Sequence, residues 1–208
     1  MIQVTRHIKK IYKGILWRFL RVDKLLVFSS SLYSSKEFPV YSFKFIRICK
    51  PNDAYSLQQL ECAMQSMGEP AGLVESRLKN GDEVFGWLDG DRIVCFGWVT
   101  YRKRALGLVR FQDKHGRVFL YNFHTSEDYR GRGLYPALLI KIRQVLGCDL
   151  GAEFIIDVNS KNLKSIRGIE KAGFAPVAQL FFLVLFNCWR WSFRIKTIDH
   201  SSRDLFQI

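Results

Sequence analysis

The sequence predicts an α+β protein in which helices flank one mixed, mostly antiparallel sheet. Three observations carry that expectation. Apolar strand and helix patterns alternate in the order strand, two helices, three antiparallel strands, helix, strand, helix, two strands. Asp89-Gly90-Asp91 separates two apolar runs as a hairpin turn. Between residues 125 and 134 a strand gives way to a helix through Arg130-Gly131-Arg132-Gly133, two arginines alternating with two glycines.

Taken in order, residues 1–24 carry apolar side chains at Ile8, Ile11, Tyr12, Ile15 and Phe19, with Leu16 and Leu20 alongside. Arg6, Lys9, Lys10, Lys13, Arg18, Arg21 and Lys24 intervene, and the spacing predicts a basic amphipathic helix. A short strand is expected over Leu25–Phe28, and Ser29–Ser35 reads as a linker. The chain thus divides into an N-terminal helix and linker at 1–40 and a main domain at 41–208.

The main domain opens with a strand through Phe43, Phe45, Ile46 and Ile48. Pro51-Asn52-Asp53 then caps a helix over Ala54–Met67. A second helix over Ala71–Leu78 closes at Asn80-Gly81. Strands follow at Glu83–Leu88, Arg92–Tyr101 and Arg117–Thr125. The next helix presents Leu134, Leu138, Ile142 and Val145 on one face and stops near Gly147. Phe154–Val158 is a strand, Asn162–Lys171 a helix with Leu163, Ile166 and Ile169 inward, and Val177–Phe186 a continuous apolar strand. Trp189, Trp191, Phe193 and Ile195 alternate with polar residues as the last strand.

Composition narrows the function classes. At 208 residues, 48% hydrophobic and 14% aromatic, the chain can build a sizeable core and is not disordered. The net charge of +13 asks for an anionic partner. No RNA-binding aromatic motif or zinc spacing is present, so nucleic acid is not the expected partner. The basic helix at 1–24, with Trp17, suits peripheral contact with an anionic membrane surface or an anionic carrier. Cys49, Cys62, Cys95, Cys148 and Cys188 form no close pair, which fits reduced thiols. Basic residues interrupt the N-terminus, leaving no signal-peptide core, and the longest apolar run, Leu180–Phe186, is too short to span a bilayer. A cytoplasmic location is expected.

The stretch Phe123–Ile140 is the centre of the functional reading. Gly131 and Gly133 let the backbone take positive φ and converge its N–H groups without Cβ obstruction, and the following helix N-terminus adds partial positive charge. Such a turn suits phosphate. It resembles the acyl-CoA pyrophosphate loop of the GNAT superfamily of N-acetyltransferases, whose pattern is Gln or Arg, two residues, Gly, one residue, then Gly or Ala. From Arg130 the pattern holds at Arg130 and Gly133, and Tyr135 replaces the final small residue. From Asp128 both glycines fit, and Asp128 replaces the basic residue. Val158-Asn159-Ser160-Lys161-Asn162, Ser165 and Ile169–Phe174 are similar to the family's fifth strand, cofactor-flanking helix and terminal Glu-Lys-x-Gly-Phe. The resemblance covers about residues 43–186 and implies a GNAT-like fold.

It also implies a site. Phe123, His124 and Thr125 would offer backbone groups to the pantetheine arm of acetyl-CoA or another acyl-CoA. Arg130, Gly131, Arg132, Gly133, Leu134 and Tyr135 would cradle its pyrophosphate, and Asn162 with Ser165 would contact the arm. The implied activity is acyl transfer to a small amine, such as an amino sugar or nucleotide sugar, by direct transfer in a ternary complex. The alternative is a GNAT-fold cofactor-binding module with weak or no chemistry. The strand 118–125 holds no carboxylate, and His124 is its one residue whose ordinary titration lies near neutrality, which makes it the candidate catalytic base. Glu153 and Asp157 are rivals. No acid is assigned, because the position where family members carry a tyrosine is Ile169. Arg102-Lys103-Arg104, Arg110, Lys114 and Arg117 would favour an acidic acceptor.

Overall fold

The computed structural model describes residues 20–30, 42–50, 57–102, 105–106, 109–111, 117–150, 153–185, 189–198 and 206–207. Its strands are β1 (Leu20–Ser30), β2 (Lys44–Ile48), β3 (Glu83–Asp89), β4 (Arg92–Thr100), β5 (Ala105–Leu106), β6 (Val109–Phe111), β7 (Arg117–Thr125), β8 (Glu153–Asn159), β9 (Ala175–Leu185), β10 (Trp189–Thr197) and β11 (Phe206–Gln207). Its helices are α1 (Leu57–Ser66), α2 (Leu73–Lys79), α3 (Leu134–Leu150) and α4 (Leu163–Lys171), with a single 3₁₀ turn at Glu127–Tyr129.

Eight strands form one sheet in the order β10-β9-β1-β8-β7-β4-β3-β2. Neighbours are antiparallel except β7 and β8, which run parallel. The β3–β4 hairpin closes where the sequence places it, with Asp89 opposite Arg92 and Gly90 at φ 57°. β5 and β6, between the strands expected at Arg92–Tyr101 and Arg117–Thr125 and not themselves expected, join β11 in a separate three-stranded sheet.

Period-2 alternation sorts each strand onto two faces. On one face, Leu60 and Met64 of α1 and Val74 and Leu78 of α2 pack on Ile48, Val84, Ile93, Phe96 and Trp98. On the other, Leu134, Leu138 and Ile142 of α3 and Ile169 of α4 meet Phe85, Cys95, Val118, Leu120 and Ile156. Leu138, Ile142 and Ile169 are fully buried, and each contributes about 1.5–3 kcal/mol. A third cluster, including Leu25, Val27, Leu180, Phe182 and Val184, fills the half of the sheet around β1 and β9.

β1 is where the structure departs from the expected order. Residues 20–24, expected to end the basic helix, are extended, and the four-residue strand expected at Leu25–Phe28 is the middle of an eleven-residue one. It lies inside the sheet of the main domain, hydrogen-bonded to β8 on one side and β9 on the other. Two ladders satisfy its backbone at once, which outweighs the helical spacing of its side chains. The remainder of the expected helix, residues 1–19, and the cap at 51–53 lie outside the described residues. No helix among the described residues is long and apolar enough to cross a membrane.

Candidate active site

The parallel strands β7 and β8 stay together only from Arg117↔Glu153 to Leu120↔Ile156. β8 continues, paired with β1 as far as Asn159, while β7 turns away. A bulge in β7 causes the parting. Phe96 faces His124 and Trp98 faces Tyr121, so two β7 residues oppose the single Gly97, and Asn122 takes φ 48°. Gly97 is required there: a Cβ on it would come within 2.1 Å of the Phe123 ring. Beyond Leu120, therefore, one edge of β7 is unpaired with β8 and lines a cleft between the two strand ends.

The glycine turn closes one end of this cleft. Ser126 N–H donates to Val94 O at 2.9 Å, the 3₁₀ turn follows, and Gly131 and Gly133 take φ 80° and 78°. α3 then starts at Leu134, whose carbonyl accepts from Trp87 Nε1 at 3.2 Å and whose side chain is buried. Pro136 sits in the first turn, where a missing N–H costs nothing. The first N–H groups of α3 face away from the helix body and suit an anion. Arg130 Nη1 is 2.8 Å from Glu127 Oε1 and its Nε donates to Thr125 O at 3.3 Å. Arg132 donates to Asp128 O at 3.0 Å and stacks 4.8 Å over Tyr129. Both guanidinium groups stay exposed beside the turn.

Leu134 and Tyr135 reach this turn by their backbones alone. The Tyr135 ring lies 5.3 Å from that of Phe123, and it fills the space beside Gly168 of α4, where a Cβ would sit 2.5 Å from it. Burial raises its hydroxyl pKa well above the ordinary value of 10.0. The large residue in the turn is thus matched by a missing side chain on the facing helix. Asn162 is the N-cap of α4, its side-chain oxygen accepting the Ser165 N–H at 3.2 Å. Ile169 is fully buried.

On the opposite face, the bulge brings His124 over Phe96, ring centroids 5.2 Å apart and nearly parallel. His124 Nε2 lies 3.2 Å from Oε1 of Glu69, in the loop joining α1 and α2. Glu69 is buried, and its Oε2 is 3.3 Å from Arg77 Nη1 of α2. The Arg77 guanidinium stacks 4.8 Å over Trp98 and 5.4 Å over Tyr121. Tyr121 OH in turn donates to Asp82 Oδ2 at 2.7 Å, and Arg102 Nη2 donates to Asp82 Oδ1 at 3.1 Å. The histidine named from sequence therefore has a carboxylate partner that the sequence did not indicate. Of its rivals, Glu153 is bonded to Arg117 at 2.8 Å at the closed end of the β7–β8 pair, away from the cleft. Asp157 lies on β8 opposite Val27 of β1.

The model of the Acetyltransferase (GNAT) family matches residues 51–174. No curated protein sequence matches the chain. Among solved structures, a GNAT-family protein from Novosphingobium aromaticivorans superposes with TM-score 0.54 at 17% identity, over 79% of this chain and 64% of that one. A GNAT-family acetyltransferase from Colwellia psychrerythraea gives 0.53 at 14% identity, over 88% and 61%. AAC(6')-Iy in complex with the bisubstrate analogue CoA-S-monomethyl-acetylneamine gives 0.50 at 18% identity, over 64% and 90%. The match thus spans less than two thirds of the first two of these chains. At these identities the likeness is one of fold.

Proposed function

Because the chain belongs to the acetyltransferase (GNAT) family, matched over residues 51–174, we propose that it is an acyl-CoA-dependent N-acyltransferase acting on a small amine. The observation that carries the reading is the cleft: an unpaired β7 edge ending at a turn with two positive-φ glycines and a helix N-terminus. A long, flexible thioester with a pyrophosphate at one end fits that arrangement. Coenzyme A, when bound, supplies the activated acyl group, and acetyl is the expected one.

The residues divide the work. Backbone groups of Phe123, His124 and Thr125 hold the arm as an added strand would. The N–H groups of Gly133, Leu134 and Tyr135, with the charges of Arg130 and Arg132, bind the pyrophosphate. Asn162 keeps its amide nitrogen for the arm while its oxygen caps α4. An ammonium cannot attack a carbonyl, and His124 takes the proton that makes the acceptor a nucleophile. The transfer is direct, with acceptor and cofactor bound together. Arg102 and the basic residues after it support an acidic acceptor, such as a nucleotide sugar. The basic residues of 1–24 support contact with an anionic carrier or membrane surface, and a cytoplasmic setting is consistent with both.

Isothermal titration with acetyl-CoA tests the cofactor claim. The intact protein binds, and Gly133→Asp, which puts a Cβ and a negative charge at φ 78°, loses binding by at least about tenfold. Absence of binding by the intact protein sinks the reading. A second reading, a cofactor-binding module with little chemistry, is favoured by buried Ile169 where family members carry a tyrosine. Release of free thiol with a panel of amines, amino sugars included, separates the two.

A further inference from the structure

We propose that Glu69 is the positioning carboxylate of His124: its Oε1, 3.2 Å from Nε2, draws the resting proton of the ring to that nitrogen and thereby leaves Nδ1 bare to take the proton of the acceptor amine. The proposal rests on the acyltransfer reading above for the identity of the proton donor, and on geometry for everything else.

Among the described residues, the buried side-chain N and O atoms without a hydrogen-bond partner are Glu69 Oε1, Arg77 Nη1 and Trp98 Nε1. They form one cluster, since Arg77 lies over the Trp98 ring and 3.3 Å from Glu69. A native fold satisfies its buried polar groups unless a site has another use for them. The Glu69 side chain is only 4% exposed and that of His124 is 35%. The carboxylate cannot meet an acceptor itself, whereas the histidine can, so Glu69 acts through His124. The carboxylate lies between two cationic or titratable groups, Oε2 3.3 Å from Arg77 Nη1 and Oε1 3.2 Å from His124 Nε2, distances of ion pairing rather than of formed hydrogen bonds. Stacking on Phe96 fixes the ring plane. The other charged or titratable groups around the cluster are already engaged: Tyr121 with Asp82, and Asp82 with Arg102.

The proton balance is simple. An N–H bond of the acceptor breaks, an Nδ1–H bond forms, and the imidazolium lies against the Glu69 carboxyl group. The proton then leaves from Nδ1 to solvent. Without Glu69 either nitrogen could carry the resting proton, and the ring would present an N–H to the acceptor part of the time.

The test is nitrogen NMR of the full chain with labelled histidine, at a pH where imidazoles are neutral, with His124 assigned by its loss in His124→Gln. The native ring is expected as the Nε2–H tautomer, and an Nδ1–H tautomer in the native protein overturns the proposal without any further variant. In Glu69→Gln, Arg77 claims the amide oxygen and turns the NH₂ toward Nε2. The tautomer is therefore expected to flip, and kcat to fall about 10²-fold, with acetyl-CoA affinity unchanged. Retention of the Nε2–H tautomer, or of native kcat, overturns it. In a His124→Ala background Glu69→Gln costs nothing further, whereas a purely structural role for Glu69 would still show its loss. If no amine is acylated at all, the acyltransfer reading fails, and the native tautomer still decides whether Glu69 positions His124.

Discussion

Cys95 has no exposed surface, and its Sγ is 3.3 Å from the Thr125 hydroxyl. Burial pushes its thiol from 9.0 up to about 12. Cys62 is exposed on α1. Brief treatment of the native protein with iodoacetamide at pH 8 is expected to label Cys62 and spare Cys95, as read by peptide mass spectrometry. Labelling of Cys95 before global unfolding would contradict the packing. The same shift has a sign in stability. Above pH 9 the unfolded chain releases this proton and the folded one keeps it, so folding weakens as pH rises from about 9 to 12, by about 1.4 kcal/mol per unit for this one group. Urea titrations across that range should show a shallower decline in Cys95→Ala. At this scale the glycine turn was legible in the sequence, because positive-φ glycines beside arginines leave a local signature. Glu69 was not. A lone glutamate before a proline carries no mark of the histidine it will face, since only tertiary packing joins the α1–α2 loop to β7.

The elements around the cleft show the same division between local and non-local information. β7 was expected at Arg117–Thr125 and is found there, because its first half, Val118–Tyr121, is an unbroken apolar run. Its bulge was not visible: nothing in Tyr121-Asn122-Phe123 announces that two residues will oppose one. Asn122 at φ 48° is what lets β7 leave β8 and re-aims His124 toward Glu69. Asn122→Gly is expected to leave stability nearly unchanged. Asn122→Val, a β-branched residue forced into the left-handed region, should cost about 1–2 kcal/mol in urea unfolding. It should also weaken acetyl-CoA binding, since it acts on the cleft edge. Equal stability of the valine and glycine variants would show that the bulge is not maintained by this residue. α3 and α4 followed their periodicity, and their fit to each other again depended on a distant pair, the Tyr135 ring and Gly168.

At the scale of the molecule, the order of the helices and of the main-sheet strands from β2 to β10 was readable because each keeps its own period, whereas the short β5 and β6 were not. β1 was not, because Leu16, Phe19 and Leu20 continue a helical spacing into Arg21 and Lys24, whereas the ladders of β8 and β9 hold the chain extended from Leu20 on. The sheet is consequently a joint product of Leu20–Ser30 and the distant strands β8 and β9. A chain beginning at residue 31 is expected to lose its cooperative urea transition, since both β8 and β9 would expose unpaired backbone and the cluster around Val27 and Leu180 would open. A sharp, native-like transition in that truncated chain would show that β1 is dispensable.

The position of β1 also sets an order of events during synthesis. Leu20–Ser30 leaves the ribosome well before its two neighbours, Glu153–Asn159 and Ala175–Leu185, which follow more than about 120 residues later in the chain. Contacts of such long sequence separation form late, because the intervening chain must be ordered before they repay its lost entropy. Until then Leu25-Leu26-Val27-Phe28 is an apolar strand with both edges open, the kind of segment through which nascent chains associate with one another. A strand made before both of its partners is thus sheltered only once they have followed it.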